Sequence, residues 1–259
     1  MLKIAINTSL KGGMEILKVY SSEFEVEHKQ DKSPLTLADK NCNDVIEEEL
    51  EKTNIPILSE EGSKIEYELR KEWEYFWLVD PLDGTKEFIK RNGEFTVNIA
   101  LMYKNKPIMG VIYVPVKHEL YFGMKDLGSY KKLDFRDKII DMDKFIMLSD
   151  SLPRERKSND FIMVGSRSHM SKETEDFFEN KRRVHDSVKI ISVGSSLKMC
   201  MVAEGLADVY PRFAPTMEWD TAAGHAIVKY AGFSVINYET DTELIYNKKD
   251  LLNPWFIVN

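Results

Sequence analysis

Two aspartates and a threonine hydroxyl lie close together on one turn, directly after an apolar run at residues 73–79. The turn has the sequence Asp80-Pro81-Leu82-Asp83-Gly84-Thr85. Pro81 fixes φ and lacks an N–H, so we expect the strand to end before it, and Gly84 lets the backbone come close to a ligand. Carboxylates with a backbone carbonyl between them are oxygen ligands of the kind that Mg2+ prefers. A turn of this composition is also common without a ligand, so the turn alone leaves both interpretations open.

Other acidic side chains occur beside predicted strands and helices. Glu60 and Glu61 follow the apolar run 55–58, Asp220 precedes an apolar-periodic helical stretch, and Asp39 precedes another. Asp220 can cap its helix through its side chain, and the same helix start can bind an anion through its free N–H groups. Single acids in a chain with 31% charged residues are usually solvated. Their joint position at two strand ends and two helix starts favours a shared site.

Composition agrees with a globular enzyme and argues against some partners. The 259 residues are enough for one large domain or two small ones, and 43% are hydrophobic. With a net charge of −7, the chain lacks the excess of positive charge that is typical of proteins that bind nucleic acid polymers. The two cysteines, Cys42 and Cys200, have no metal-type spacing, which favours a reducing compartment. We find no transmembrane run or cleavable leader. The expected location is the cytoplasm, with peripheral attachment to the inner face of the membrane left open.

The pattern of apolar residues predicts an α+β fold with an α/β C-terminal half. A helix is expected over residues 4–19, followed later by an antiparallel meander with strands at 95–103, 108–114 and 119–122. Strands and helices then alternate from residue 161 onward, which is typical of an α/β arrangement. We therefore divide the chain into an α+β half, residues 1–157, and an α/β half, residues 158–259, which together form one catalytic unit.

Three strings resemble the signatures of the inositol monophosphatase superfamily, in the family's order. They are Leu58-Ser59-Glu60-Glu61, Asp80-Pro81-Leu82-Asp83-Gly84-Thr85-Lys86-Glu87-Phe88 and Trp219-Asp220-Thr221-Ala222-Ala223-Gly224. Three further strings are similar to the bisphosphate nucleotidase branch: Ser33-Pro34-Leu35-Thr36, Gly194-Ser195-Ser196-Leu197-Lys198 and Tyr210-Pro211-Arg212-Phe213. The resemblance extends from about residue 33 to the C-terminus and is weakest at residues 125–157. The fold that it implies is a layered αβαβα sandwich.

The resemblance implies a magnesium centre with two ions and a third, weaker one near Glu60. The first ion would be bound by Glu60, Asp80 and the carbonyl of Leu82, and the second by Asp80, Asp83 and Asp220. Position alone does not separate Glu60 from Glu61, whereas the resemblance favours Glu60. Two such ions would stabilise both the attacking and the leaving oxygen of an in-line displacement.

The resemblance also implies the catalytic and substrate-binding residues. Thr85 and Asp39 would pass on the proton of the attacking water, with Glu60 as the third catalytic residue. The substrate would contact Gly84, Thr85, Lys86, His169, Ser195, Lys198, Arg212 and Asp220. Considered singly, Ser195 has the alternative of a helix cap and His169 that of a surface residue. Lys198 and Arg212 have the alternative of solvated charges. We expect Ser195 and Lys198 to share one face of a helix start, and Arg212 to present a planar fork to a second phosphate.

The activity implied is Mg2+-dependent removal of the 3'-phosphate from adenosine 3',5'-bisphosphate, or also from 3'-phosphoadenosine 5'-phosphosulfate, with lithium sensitivity. One alternative is a phosphatase of the same superfamily that acts on inositol monophosphate or a sugar phosphate. Lys86-Glu87 stands where inositol enzymes often have Thr-Asn, which favours the nucleotide. Another alternative is a non-catalytic protein that binds Mg2+ and a phosphorylated metabolite. The presence of both Asp39 and Thr85 favours catalysis.

Overall fold

The computed structural model describes residues 1–21, 26–28, 34–62, 64–165 and 171–259. The helices in these ranges are α1 (Leu2–Tyr20), α2 (Leu37–Glu51), α3 (Tyr67–Arg70), α4 (Thr85–Ile89), α5 (Met142–Met147), α6 (Lys172–Arg182), α7 (Leu197–Ala203) and α8 (Glu218–Tyr230). The strands are β1 (Val26–His28), β2 (Pro34–Thr36), β3 (Ile57–Ser59), β4 (Tyr75–Asp83), β5 (Thr96–Tyr103), β6 (Lys106–Val114), β7 (Glu119–Met124), β8 (Gly128–Lys132), β9 (Asp150–Leu152), β10 (Phe161–Gly165), β11 (Val188–Ser192), β12 (Tyr210–Arg212), β13 (Val235–Asn237), β14 (Thr242–Glu243) and β15 (Phe256–Val258).

A seven-stranded sheet has the order β3-β4-β5-β6-β7-β8-β9. β3 and β4 are parallel, and the other neighbouring strands are antiparallel. Along β4 the side chains alternate: Trp77 and Val79 join the core on one face, and Phe76 and Leu78 join the core on the other. Because both faces are covered, β4 is apolar at successive positions rather than at alternate ones.

Helices cover both faces of this sheet. α1 and α2 share one core with Trp77 and Val79, and α7 and α8 share the other with Phe76 and Leu78. The buried residues of α1 recur every three or four positions, which places them on one helical face; they include Leu2, Ala5, Ile6, Leu10, Gly13 and Ile16.

A second sheet lies against α7 and α8. Its antiparallel strands have the order β12-β15-β13-β14, and the parallel pair β10 and β11 joins it through a bridge between Met163 and Val209. α6 covers the remaining side, where Phe178 packs on Met163 and Val209. The layers therefore follow the order helix, sheet, helix, sheet, helix, which confirms the predicted αβαβα sandwich.

Two glycines bring α8 unusually close to the central sheet. A Cβ at Gly110 on β6 would overlap the carbonyl oxygen of Ala223, and one at Gly123 on β7 would lie 3.0 Å from the Cα of Ile227. The helix backbone therefore rests directly on the strands. This close approach carries the first turn of α8 to the edge of the sheet where β3 and β4 end.

The expectation that the strand ends before Pro81 is wrong, because β4 continues to Asp83. Asp80 pairs with Asn98 and Asp83 with Thr96, so β4 has one residue more than β5 over this stretch. Pro81 lies in this bulge, where its missing N–H costs no ladder hydrogen bond. The pairing of β3 with β4 has already ended at Val79.

Other boundaries differ from the predicted ones. α2 and α8 begin earlier than expected, so Asp39 and Asp220 each lie in the first turn of a helix rather than before it. The stretch 125–157 contains β8, α5 and β9, and its two strands extend the central sheet. The predicted helix at residues 4–19 and the predicted meander are confirmed. The division of the chain at residue 157 stays a prediction.

Across the ranges that the structure describes, no helix has the length and apolar character needed to cross a membrane. The expected location of the protein stays a prediction.

Candidate metal centre

Three carboxylates from three elements meet at one edge of the central sheet. Glu60 directly follows β3, Asp80 lies in β4, and Asp220 lies in the first turn of α8. Each offers a carboxylate oxygen within 4.8 Å of the others. Because β3 and β4 are parallel, their carboxyl ends lie side by side, and α8 supplies the third oxygen from above the sheet.

Asp80 is the most enclosed member of this carboxylate triple, with a side chain 1% exposed. Its Oδ1 accepts the N–H of Leu82 at 3.1 Å, and its Oδ2 is buried with no hydrogen-bond partner among the described residues. Burial and the charges of Glu60 and Asp83 hold the pKa of Asp80 well above its usual range. A buried carboxylate oxygen without a donor, beside other carboxylates, suits a hard divalent cation such as Mg2+.

Asp220 caps its helix and also lies among the clustered carboxylates. Its Oδ2 accepts the N–H of Met217 at 2.9 Å, as a capping carboxylate does. The side chain also belongs to the carboxylate triple. Burial and the charges of Asp83 and Glu60 raise the pKa of Asp220 well above its usual range.

Asp83 lies beside the carboxylate triple rather than within it. Its Oδ2 accepts both the N–H and the O–H of Ser196, each at 2.6 Å, and the amide of Asn98 lies 3.4 Å away. Its charge nevertheless reaches both Asp80 and Asp220, since it contributes to raising their pKa values. Coordination of an ion by Asp83, and by the Leu82 carbonyl, stays a prediction.

α2 is attached to the turn at residues 80–85 through a cysteine. The Sγ–H of Cys42 donates to the carbonyl oxygen of Pro81 at 3.1 Å. Asp39, one turn earlier, is buried, and its charge contributes to raising the pKa of Asp80. Asp39 therefore lies within electrostatic reach of the carboxylates, while its role with Thr85, the first residue of α4, stays a prediction.

Gly84 has a conformation that favours glycine, with φ at +93°. A Cβ at this position would lie 3.2 Å from the Cβ of Ser195 and 3.3 Å from the carbonyl oxygen of Glu94. The turn between β4 and α4 is therefore packed closely against the segment that precedes α7. Lys86 follows as the second residue of α4.

Lys198 and Arg212 lie within electrostatic reach of Asp220, although we expect them to form a cluster away from the metals. Ser195 is also placed differently from the expectation. Ser195 stands outside α7 with φ at +46°, so its carbonyl oxygen, not its hydroxyl, accepts from Lys198 Nζ at 2.6 Å. The Ser195 hydroxyl is buried without a hydrogen-bond partner in the described ranges. The left-handed turn corrects the expectation that both residues share one helical face. His169 falls within residues 166–170, outside the described residues.

Burial lowers the pKa of Lys198 to about 8, against the opposing effect of the Asp83 charge. Its ammonium lies 5.6 Å from the centre of the Tyr210 ring. Arg212, two residues further along β12, donates through Nη2 to the Pro215 carbonyl at 2.9 Å, and its Nε is buried without a partner among the described residues. The charge of Arg212 also contributes to lowering the pKa of Lys198. The two cations therefore lie close enough to act on one anion.

A sequence profile of the inositol monophosphatase family matches residues 1–255. The chain belongs to the inositol monophosphatase family. It is similar to the 3'(2'),5'-bisphosphate nucleotidase CysQ of Salmonella typhimurium, at 42% identity over 262 residues, covering 100% of this chain and 99% of the relative. The protein of the same name in Escherichia coli (strain K12) is 40% identical over 263 residues, with the same coverage.

Two solved structures support the family fold. CysQ from Bacteroides thetaiotaomicron superimposes with a TM-score of 0.92 at 51% identity, covering 99% of this chain and 95% of that one. Inositol monophosphatase from Anabaena superimposes with a TM-score of 0.68 at 21% identity, covering 100% of this chain and 89% of that one. The second likeness shows the fold alone.

In this member of the inositol monophosphatase family, sequence reasoning missed Ser196 and Asn98. The Ser196 hydroxyl, besides contacting Asp83, lies 2.8 Å from the backbone carbonyl of Asp220, and Asn98 Nδ2 donates to the same hydroxyl at 2.9 Å. Ser196 therefore ties the β4 bulge to the start of α8. Ser196 occurs in a string that carries the resemblance, but neither a serine nor an asparagine has a sequence signature of its own for this contact.

Proposed function

We propose that this protein is a Mg2+-dependent phosphatase that hydrolyses the 3'-phosphate of adenosine 3',5'-bisphosphate to AMP and phosphate. The observation that carries the proposal is the carboxylate triple, in which a buried Asp80 oxygen lacks any donor among the described residues. The choice of substrate rests on the relatives named 3'(2'),5'-bisphosphate nucleotidase, at 40–42% identity over the whole chain. The related substrate 3'-phosphoadenosine 5'-phosphosulfate offers the same 3'-phosphate.

We further propose two ions, with Glu60, Asp80 and the Leu82 carbonyl as ligands of one and Asp80, Asp83 and Asp220 as ligands of the other, and a third, weaker one near Glu60. When bound, Mg2+ would act as a Lewis acid that polarises the phosphoryl group and lowers the pKa of a water molecule.

The residues of the chain would then position the reactants and move one proton. Thr85 accepts the proton of the attacking water and passes its own to Asp39, with Glu60 as the third catalytic residue. Gly84 lets the backbone approach the scissile phosphate without a side chain in between. We place the 5'-phosphate at Lys198 and Arg212, with Ser195, Lys86 and His169 as further contacts, because a bisphosphate needs a second anion pocket.

A phosphate-release assay with Mg2+ tests this proposal on three substrates: adenosine 3',5'-bisphosphate, inositol 1-phosphate and fructose 1,6-bisphosphate. We expect kcat/KM for the nucleotide to exceed the others by at least about tenfold, since one charge-assisted hydrogen bond contributes roughly 1.5–3 kcal/mol. Thr85→Val and Asp39→Asn should each keep less than about a tenth of wild-type kcat, because general-base catalysis supplies ~10²–10⁴-fold. Equal turnover of inositol 1-phosphate, or turnover without a divalent cation, would contradict the proposal.

A further inference from the structure

The first turn of α8 is held by residues 247–253, a segment that we call the C-terminal strap. The N–H of Glu218, the first residue of α8, donates to the carbonyl of Leu251 at 3.0 Å. Met217 and Leu252 form an antiparallel bridge. The strap therefore supplies partners for backbone groups that a helix start leaves without internal ones.

The carboxylate of Glu218 is fully buried, with a side chain 0% exposed. It accepts the N–H of Asn247 at 2.6 Å and the N–H of Lys248 at 3.1 Å. The ammonium of Lys248 also donates to it. A buried carboxylate is stable only when it is paired and hydrogen-bonded, so Glu218 fixes the strap to α8 at one defined position.

Arg70 at the end of α3 anchors the other side of the strap. Its Nη1 donates to Asn247 Oδ1 at 2.6 Å, and its Nη2 donates to the Lys249 carbonyl at 3.1 Å. In return, Asn247 Nδ2 donates to the Arg70 carbonyl at 2.7 Å. Because Arg70 is itself buried, the strap cannot shift without breaking several enclosed hydrogen bonds at once.

The strap reaches the metal centre through Met217. Asn253 Nδ2 donates to the Met217 carbonyl at 2.8 Å, and the Met217 N–H donates to the Asp220 carboxylate at 2.9 Å. We propose that Glu218, paired with Lys248, is a positioning residue that holds Asp220 in place for the metal ion. This inference rests on the proposed function, in which Asp220 is a metal ligand. Partners of metal ligands typically change metal affinity 10–100-fold when they are removed.

A simpler account would assign Glu218 an electrostatic effect alone. A negative charge two residues from Asp220 attracts a cation through space, so its removal would weaken Mg2+ binding without any change in geometry. The two accounts differ at Lys248. Removing its positive charge would strengthen Mg2+ binding if charge alone mattered, but would weaken it if the pair positions Asp220.

The test compares Glu218→Gln, Lys248→Met and the double variant. Calorimetry gives the Mg2+ dissociation constant of each folded full-length protein, and phosphate release gives the Mg2+ concentration at half-saturation. We expect both single variants to bind Mg2+ about tenfold or more weakly. The double variant should bind Mg2+ no more weakly than either single variant, because each single substitution already breaks the pair of Glu218 with Lys248. Lys249→Met is the matched control, since the Lys249 side chain forms no ion pair among the described residues and should leave Mg2+ binding unchanged.

Each outcome decides one claim. Wild-type protein that binds Mg2+ and releases phosphate, together with a Lys248→Met variant that binds Mg2+ as tightly or more tightly, would overturn the positioning role alone. Wild-type protein that neither binds Mg2+ nor releases phosphate would overturn the proposed function and this inference with it. If Glu218→Gln does not fold, as judged by circular dichroism, Lys248→Met decides between the two accounts. Weaker Mg2+ binding than in wild type supports the positioning role, and equal or tighter binding overturns it.

Discussion

Lys198 carries its ammonium group in a buried position, and burial sets the pH range over which the charge persists. Its pKa is lowered to about 8 from the ordinary value of 10.5. The side chain is therefore mostly charged below a pH of about 8 and loses its charge as the pH rises through that value. A lysine that binds the 5'-phosphate is useful only in its charged form.

We expect the KM for adenosine 3',5'-bisphosphate to rise as the pH increases through about 8, as measured by phosphate release at fixed Mg2+. Lys198→Arg, which stays charged, should remove this rise.

Lys198→Ala and Arg212→Ala should lower kcat/KM for the bisphosphate roughly ten- to a hundredfold, from the loss of a charge-assisted hydrogen bond. Both should spare 3'-AMP, which has one phosphate. Equal losses on both substrates would contradict the second anion pocket and reopen the inositol phosphate alternative.

At the residue scale, the acidic members of the site could be predicted and their neutral partners could not. Glu60, Asp80 and Asp220 stand in distinctive strings at the ends of elements. Asp and Glu side chains are rarely buried unless they have a charged or polar partner, so acids next to apolar runs indicate a site. Ser196 reaches Asp83 across 113 residues of sequence. No local pattern shows which of many serines will make such a contact, because it depends on how the layers pack.

At the scale of elements, the contact between α8 and the central sheet determines where Asp220 lies. Gly110 leaves room for the backbone of α8 at Ala223, and a Cβ there would overlap the Ala223 carbonyl oxygen. Any side chain on β6 at this point must push the helix outward. Because Ala223 is only three residues from Asp220 in the same helix, we expect an outward shift to move Asp220 away from Asp80 as well.

Gly110→Ala should therefore lose both stability and Mg2+ affinity. Overpacking of this kind costs about 1–3 kcal/mol, measured by chemical denaturation, and calorimetry should show weaker Mg2+ binding. Gly232→Ala is a suitable comparison, since Gly232 follows α8 with φ at +94° and a Cβ there would meet nothing within 4 Å. It should lose roughly 1–2 kcal/mol through backbone strain and keep its Mg2+ affinity. Unchanged Mg2+ binding in Gly110→Ala would show that α8 tolerates the shift.

The apolar elements could be predicted from their patterns, whereas β8 and the bulge in β4 could not. β8 has the sequence Gly-Ser-Tyr-Lys-Lys, which is too polar and too short to indicate a strand, and it depends on β7 and β9 for its hydrogen bonds. Pro81 is an ordinary strand terminator. Its tolerance within β4 follows from a one-residue difference in register with β5, which no local sequence pattern encodes.

For the whole molecule, folding brings mutually repelling carboxylates together. The pKa values of Asp80 and Asp220 are both raised well above the ordinary 3.8 by burial and by neighbouring acids. From pH 3.8 upward to these raised values, the metal-free native state holds more protons than the unfolded chain. Metal-free stability should therefore fall as the pH rises through this window.

Mg2+ should offset this loss, so the increase in Tm that Mg2+ produces over a chelator is expected to grow with pH across the same window. Thermal unfolding with EDTA or with Mg2+, at a series of pH values, measures it. Asp220→Asn removes one of the repelling charges. It should unfold at a higher temperature than wild type without metal at neutral pH, and gain less from Mg2+. An increase in Tm that is independent of pH would contradict the linkage.

Cys42 joins α2 to the turn at residues 80–85, so the reactivity of its thiol can report the separation of these two segments. The thiol is fully buried and bonded to Pro81, and burial together with the charge of Asp39 raises its pKa. Alkylating reagents attack the thiolate, so we expect them to modify Cys42 only after α2 has moved away from the turn at residues 80–85. Cys200, the other cysteine of the chain, is buried as well. The unmodified protein thus carries a chemical probe beside the carboxylate triple, and the rate of labelling at Cys42 should report how often α2 and this turn separate.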